Sequence, residues 1–82
     1  MDEATIKAAV IAILRRIAPE FDPKDLIETE PLRDQIDLDS VDWLNVLVAV
    51  NEQLRIDIPE TDYEKLRTFA DLVRYLGGRA SA

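Results

Sequence analysis

The stretch Ile36-Asp37-Leu38-Asp39-Ser40-Val41-Asp42-Trp43 places one serine behind a run of acids at the mouth of an amphipathic helix. Asp39 is a strong N-cap candidate, because its carboxylate can accept from first-turn N–H groups that have no helical partner. Asp42, three residues on, completes a capping box. Helix-start chemistry alone would explain that much. The pattern continues downstream, however. At 100° per residue from Ser40, Val46, Val50, Trp43, Leu54 and Leu47 fall between about 240° and 340°, one apolar face suited to a core. The spacing predicts a helix from Ser40 to about Leu54. A second apolar strip, Val41, Leu44 and Val48, lies between about 40° and 100°. A domain this small rarely covers both sides of one helix, so the strip is expected to be exposed and to dock a partner.

Upstream, Ile6, Ala9, Val10, Ile13, Leu14 and Ile17 recur at helical spacing and predict a helix over residues 3–17, with Asp2 as cap and Ala18-Pro19 as stop. From Glu20 to Leu38 the chain is polar and carries Pro23 and Pro31. It reads as a long loop pinned to the core by Phe21, Leu26, Ile27, Leu32 and Ile36, with a helical turn near Leu32 to Asp34. A loop of this length in a small domain points to function. Past Leu54, Arg55-Ile56-Asp57-Ile58-Pro59-Glu60 is a break with alternate isoleucines. Two capping boxes follow: Thr61 with Glu64 predicts a short third helix, and Thr68 with Asp71 a fourth bearing Phe69, Leu72, Val73 and Leu76. Gly77-Gly78 is expected to end that helix, leaving residues 79–82 as a flexible tail and 1–78 as one domain. The fold class is therefore all-α.

With 82 residues the chain buries only about 60% of its unfolded surface, so one small core must serve. It has no Cys and no His, which removes disulfides, thiolate metal sites and the commonest general base. A catalyst of the usual kinds is not expected on that ground. A calcium loop starting at Asp37 needs Gly sixth and Glu twelfth, where Asp42 and Val48 stand, so no metal site is expected. The longest apolar stretch, Ala8 to Leu14, is far short of the ~20 residues a membrane span needs. The net charge of −7 sits entirely between Glu20 and Asp42, where nine acids face two bases; elsewhere acids and bases balance. That field attracts basic protein surfaces and repels nucleic acid. A cytoplasmic monomer, with no membrane or nucleic-acid partner, is expected.

Asp39-Ser40 at a helix start, the apolar helix face after it, the Ile56 to Pro59 segment and the two short helices resemble, in order and spacing, the acyl carrier protein family. The resemblance covers nearly the whole chain. It implies a four-helix bundle with a long loop between the first and second helices and a short third helix. It also implies that Ser40 is esterified with 4'-phosphopantetheine from coenzyme A, by a separate phosphopantetheinyl transferase that uses Mg²⁺. The arm's thiol would then carry acyl intermediates as thioesters in fatty-acid, specialised lipid or polyketide biosynthesis. Asp39, Val41 and Asp42 would form the attachment motif that the transferase recognises. Leu44 and Val48 would dock acyl-transferring, synthase or ligase enzymes with basic surfaces, and Trp43, Val46, Leu47 and Val50 would line an acyl pocket. The sequence departs from the commonest family pattern at Ile36 and Leu38, where a Gly often lies, at Val41, usually Leu, and at Asn45, Asn51 and Gln53, often acidic. The lost acids favour a dedicated carrier over a housekeeping one. A rival expectation from another class is an unmodified helical adaptor that binds a protein through Val41, Leu44 and Val48.

Overall fold

In the computed structural model, which describes residues 2–80, helix α1 (Glu3–Ile17) begins where the Asp2 carboxylate accepts from the Thr5 N–H at 2.8 Å. It ends at Ala18, whose N–H still reaches the Leu14 carbonyl before Pro19 forbids another turn. Its face of Ile6, Val10, Ile13 and Leu14 is buried. α1 packs against the two other long helices, α3 (Ser40–Leu54) and α4 (Phe69–Ala80). Val46, Leu47 and Val50 of α3 meet it from one side, and Phe69, Leu72, Val73 and Leu76 of α4 from the other. The result is all-α, with no strand among the described residues.

The long loop is tied down rather than slack. It contains a 3-10 turn at Pro23–Asp25 and a one-turn helix α2 (Leu32–Gln35), where a helical turn was expected. Leu32 and Ile36 are buried and Phe21 and Leu26 half-buried, but Ile27 is 48% exposed and is not the anchor its side chain suggested. Its backbone does the anchoring: the Gln35 amide accepts from the Ile27 N–H at 2.9 Å and donates to the carbonyls of Ile27 (2.8 Å) and Glu30 (3.0 Å). Further bonds fasten the loop to the chain around the start of α4, from Leu32 N–H to the Arg67 carbonyl at 2.8 Å and from Ala70 N–H to the Glu28 carbonyl at 2.9 Å.

After α3 the buried Ile56 and Ile58 alternate with exposed Asp57, as a short extended segment requires. The third helix is a 3-10 helix, Glu60–Lys65, not an α-helix. Pro59 precedes it without a side-chain cap, so the expected box of Thr61 and Glu64 does not form. The second box does: Asp71 N–H donates to Thr68 Oγ1 at 2.9 Å and Thr68 N–H to Asp71 Oδ2 at 3.4 Å. α4 also corrects the expected end, because it runs through Gly77 and Gly78 to Ala80. Glycine stops a helix by turning left-handed, and neither glycine has a positive φ. Arg79 and Ala80 therefore belong to the helix rather than to a tail; the rest of the expected tail, Ser81 and Ala82, lies outside the described residues.

Candidate functional site

Ser40 is the first residue of α3 and is exposed. Asp39 caps the helix from an extended backbone, φ −78° and ψ −179°, accepting from Asp42 N–H at 2.8 Å, while its own N–H donates to Asp42 Oδ2 at 3.4 Å. Both acids of the expected motif are thus occupied in building the helix mouth. Their box leaves the Ser40 hydroxyl without a hydrogen-bond partner among the described residues, at the positive end of the helix dipole. An accessible hydroxyl beside first-turn N–H groups is what attachment of a phosphoryl group requires.

The approach to the serine is fixed from behind. Arg33 donates from Nε to the Leu38 carbonyl at 3.2 Å, and the side chains of Ile36 and Leu38 are buried. That bond and the two buried side chains hold the segment before Asp39 against the core, and the hydroxyl follows directly after it. Neither the Arg33 clasp nor the Gln35 brace carried a signal in the sequence, because both reach backbone groups of a loop whose path spacing cannot give.

On α3 the two apolar strips separate as expected in exposure. Val46, Leu47 and Val50 are 0–1% exposed, whereas Val41, Leu44 and Val48 stand 62%, 47% and 48% exposed. Trp43 is half-buried against the core, not fully inside it. Trp43 borders a cleft beside the serine, while Val46, Leu47 and Val50 are packed in the core behind it.

Asn51, at a position where an acid was the expected family choice, is partly buried and donates from Nδ2 to the Ile56 carbonyl at 2.8 Å. A carboxylate has no hydrogen to give there. Among the described residues no three acids are grouped so as to hold a metal ion, and no helix is long and apolar enough to cross a membrane.

Residues 5–76 match the family model described as the phosphopantetheine attachment site. The chain belongs to the acyl carrier protein family. Among curated relatives it is 33% identical over 55 residues to the mitochondrial acyl carrier protein of Neurospora crassa, covering 67% of this chain and 41% of that one. It is 25% identical over 61 residues to the acyl carrier protein of Thermosynechococcus vestitus, covering 74% and 75%. With that of Wolinella succinogenes it shares 32% over 54 residues, covering 66% and 71%. The chain thus spans less than half of the mitochondrial relative and about three quarters of the bacterial ones. Members of this family carry rather than catalyse, and the cofactor that goes with the domain is covalently attached 4'-phosphopantetheine. The residues here fit such a group, since an exposed, unpaired hydroxyl stands at the start of a long capped helix.

Proposed function

We propose that this acyl carrier protein bears its phosphopantetheine arm on Ser40 Oγ and carries acyl groups as thioesters on the arm's terminal thiol. The observation that supports the reading best is Ser40 itself, exposed at the first position of α3, behind a formed Asp39–Asp42 box and inside the matched segment. The serine needs no base of its own, because a separate phosphopantetheinyl transferase acting with coenzyme A and Mg²⁺ supplies the chemistry. A chain without cysteine suits this arrangement, as the reactive sulfur arrives with the cofactor.

Val41, Leu44 and Val48 then form the face that transferase and acyl-transferring, synthase or ligase enzymes grip, with the acidic stretch up to Asp42 steering basic surfaces toward it. Neutral Asn45 and Gln53 favour a dedicated carrier in a specialised lipid or polyketide pathway. Asn51 no longer supports that choice, because the fold itself needs its amide.

Co-expression with a broad-specificity transferase should raise the intact mass by one arm, about 340 Da. Ser40→Ala should abolish the gain and leave the helical circular dichroism unchanged, since Asp39 still caps α3. A gain that survives in Ser40→Ala would move the attachment to Ser81, the one other serine in the sequence. A wild-type protein of unchanged mass would leave the unmodified adaptor as the better account.

A further inference from the structure

The peptide unit between Leu38 and Asp39 is gripped at both ends. Its carbonyl accepts from Arg33 Nε at 3.2 Å, and its N–H donates to Asp42 Oδ2 at 3.4 Å. A peptide unit is planar, so two such bonds fix the direction of the whole plate. Donation into the carbonyl also polarises the unit and strengthens the bond its N–H makes. The next plate is held as well, because the Asp39 carbonyl accepts from Trp43 N–H at 2.9 Å. Ser40 begins where that second plate ends.

The bonds from Asp42 and Trp43 belong to α3 itself and shape its mouth without tying it to anything else. The Arg33 bond comes from another element. Arg33 stands on α2, which is pinned in turn by Leu32 N–H on the Arg67 carbonyl and by the Gln35 amide on the carbonyls of Ile27 and Glu30. The buried side chains of Ile36 and Leu38 keep the segment against the core, but apolar contact has no direction and leaves a carbonyl free to turn. Arg33 supplies the direction. The residue as a whole is exposed, yet this bond is partly buried. Its guanidinium forms no ion pair among the described residues, although Asp34 and Glu64 line the same cleft, so the Leu38 carbonyl is its one fixed partner there.

We propose that Arg33 is a positioning residue for attachment of the arm, orienting the peptide ahead of Asp39 so that Ser40 Oγ is presented along the line of attack. The inference rests on Ser40 as the attachment point. In that step the serine oxygen bonds to the coenzyme A phosphorus next to the pantetheine, and the pyrophosphate P–O bond breaks. Adenosine 3',5'-bisphosphate leaves, and the hydroxyl proton passes to a base on the transferase. Arg33 touches none of the reacting atoms. It acts through the backbone ahead of the serine, so its loss should be felt in turnover, where alignment counts, more than in binding.

Conversion of apo to holo protein by a broad-specificity transferase with coenzyme A and Mg²⁺ is followed by intact mass over a range of carrier concentrations. Wild type is compared with Arg33→Gln, Arg33→Met and Arg67→Met. Gln places an amide N–H at the position of the Arg Nε without the charge, whereas Met keeps the stem and gives up the donor. In Arg33→Met kcat should fall about tenfold, short of the ~100-fold that an ångström-scale misplacement can cost, with KM for the carrier within about twofold of wild type. Arg33→Gln should recover most of that kcat. Arg67→Met should match wild type, because Arg67 enters the fold through its backbone carbonyl. In carbon NMR the Leu38 carbonyl should shift upfield in Arg33→Met and stay in place in Arg33→Gln. Wild-type turnover in Arg33→Met, a change confined to KM, Arg33→Gln as slow as Arg33→Met, or equal slowing in Arg67→Met would each overturn the proposal. Loss of helical circular dichroism in Arg33→Met would overturn it too, by making Arg33 a support of the fold. A wild-type chain that gains no mass fails earlier, at Ser40.

Discussion

Arg55 shows at the scale of one residue how the fold imposes a conformation that the side chain does not want. It closes α3 with φ 56° and ψ 39°, the one left-handed non-glycine backbone among the described residues. An L side chain there crowds the following carbonyl at a cost of about 1–2 kcal/mol, which is why glycine is usual at such ends. The turn is held from outside: Asn51 grips the Ile56 carbonyl, and the Ile56 side chain is buried just beyond. The Arg55 side chain is exposed and takes no part. Arg55→Gly should therefore stabilise the protein by about 0.5–1 kcal/mol, after about 0.5–1 kcal/mol is lost to the freer unfolded chain. A higher urea midpoint at unchanged m would show it. Asn51→Asp should act the other way, losing about 1–2 kcal/mol, because the Ile56 carbonyl is left facing a group that cannot donate. If that variant melts like wild type, the amide is not what holds the turn. The sequence displayed Asn51 only as a missing acid, since a donor's target five residues on is invisible until the chain has turned.

Among the elements, the 3-10 helix Glu60–Lys65 depends most on side chains other than its own caps. It has no side-chain N-cap and no fully buried residue of its own, and it leans on α4 through Asp62. Asp62 Oδ2 accepts from the Tyr75 hydroxyl at 2.7 Å and from Arg79 Nη2 at 3.2 Å, and Lys65 Nζ lies 3.3 Å from Oδ1. The Arg79 guanidinium also sits 4.8 Å from the centre of the Tyr75 ring. Foremost the Tyr75 hydrogen bond, then the Lys65 and Arg79 charges, hold the Asp62 carboxyl below its ordinary 3.8 against the opposing effect of burial. Desolvation, and after it the same bond, raises the Tyr75 hydroxyl above 10.0. A depressed carboxylate contributes stability that is present above its unfolded value and lost as pH falls through the folded one. Tyr75→Phe should thus melt lower than wild type at pH 6, with the gap narrowing as pH drops below 3.8. A carboxyl titration followed by carbon NMR should show Asp62 moving back toward 3.8 in the variant. A gap independent of pH would mean that Tyr75 acts by packing alone. The two capping boxes show what local pattern can and cannot decide. Thr68 and Asp71 formed theirs because buried Phe69 begins an amphipathic face, so cap and core agree. Thr61 and Glu64 did not, because Pro59 starts the turn early and places Thr61 inside it, leaving Asp62 to serve α4 instead. The same limit explains α4's extra turn, since two glycines read as a stop when no contact to Arg79 is visible.

On the scale of the whole molecule, the helices, their core faces and the exposed serine were legible because each follows from spacing along one helix. The cleft that Trp43 borders was not, because its walls come from α2, Leu38, Trp43 and the 3-10 helix with the residues after it, and only Trp43 of the expected pocket reaches it. What spacing also foresaw is a division of α3 into one face the core needs and one it leaves alone. Leu44 stands in the middle of that second strip, 47% exposed, between Val41 and Val48, and the acids up to Asp42 put a negative field at the same end. If charge steers and apolar contact binds, the two should separate experimentally. Raising salt should slow association while barely changing dissociation, because screening acts on encounter. Leu44→Asp should instead weaken transferase or synthase binding about tenfold, the usual scale for losing one apolar anchor. Stability should fall by no more than about 1 kcal/mol, as the side chain is not part of the core and Asp costs little more than helix propensity. Surface plasmon resonance at two ionic strengths, beside a thermal melt of the same variant, gives both readouts. A melt several degrees lower with binding unchanged would mean that Leu44 supports the helix rather than the partner.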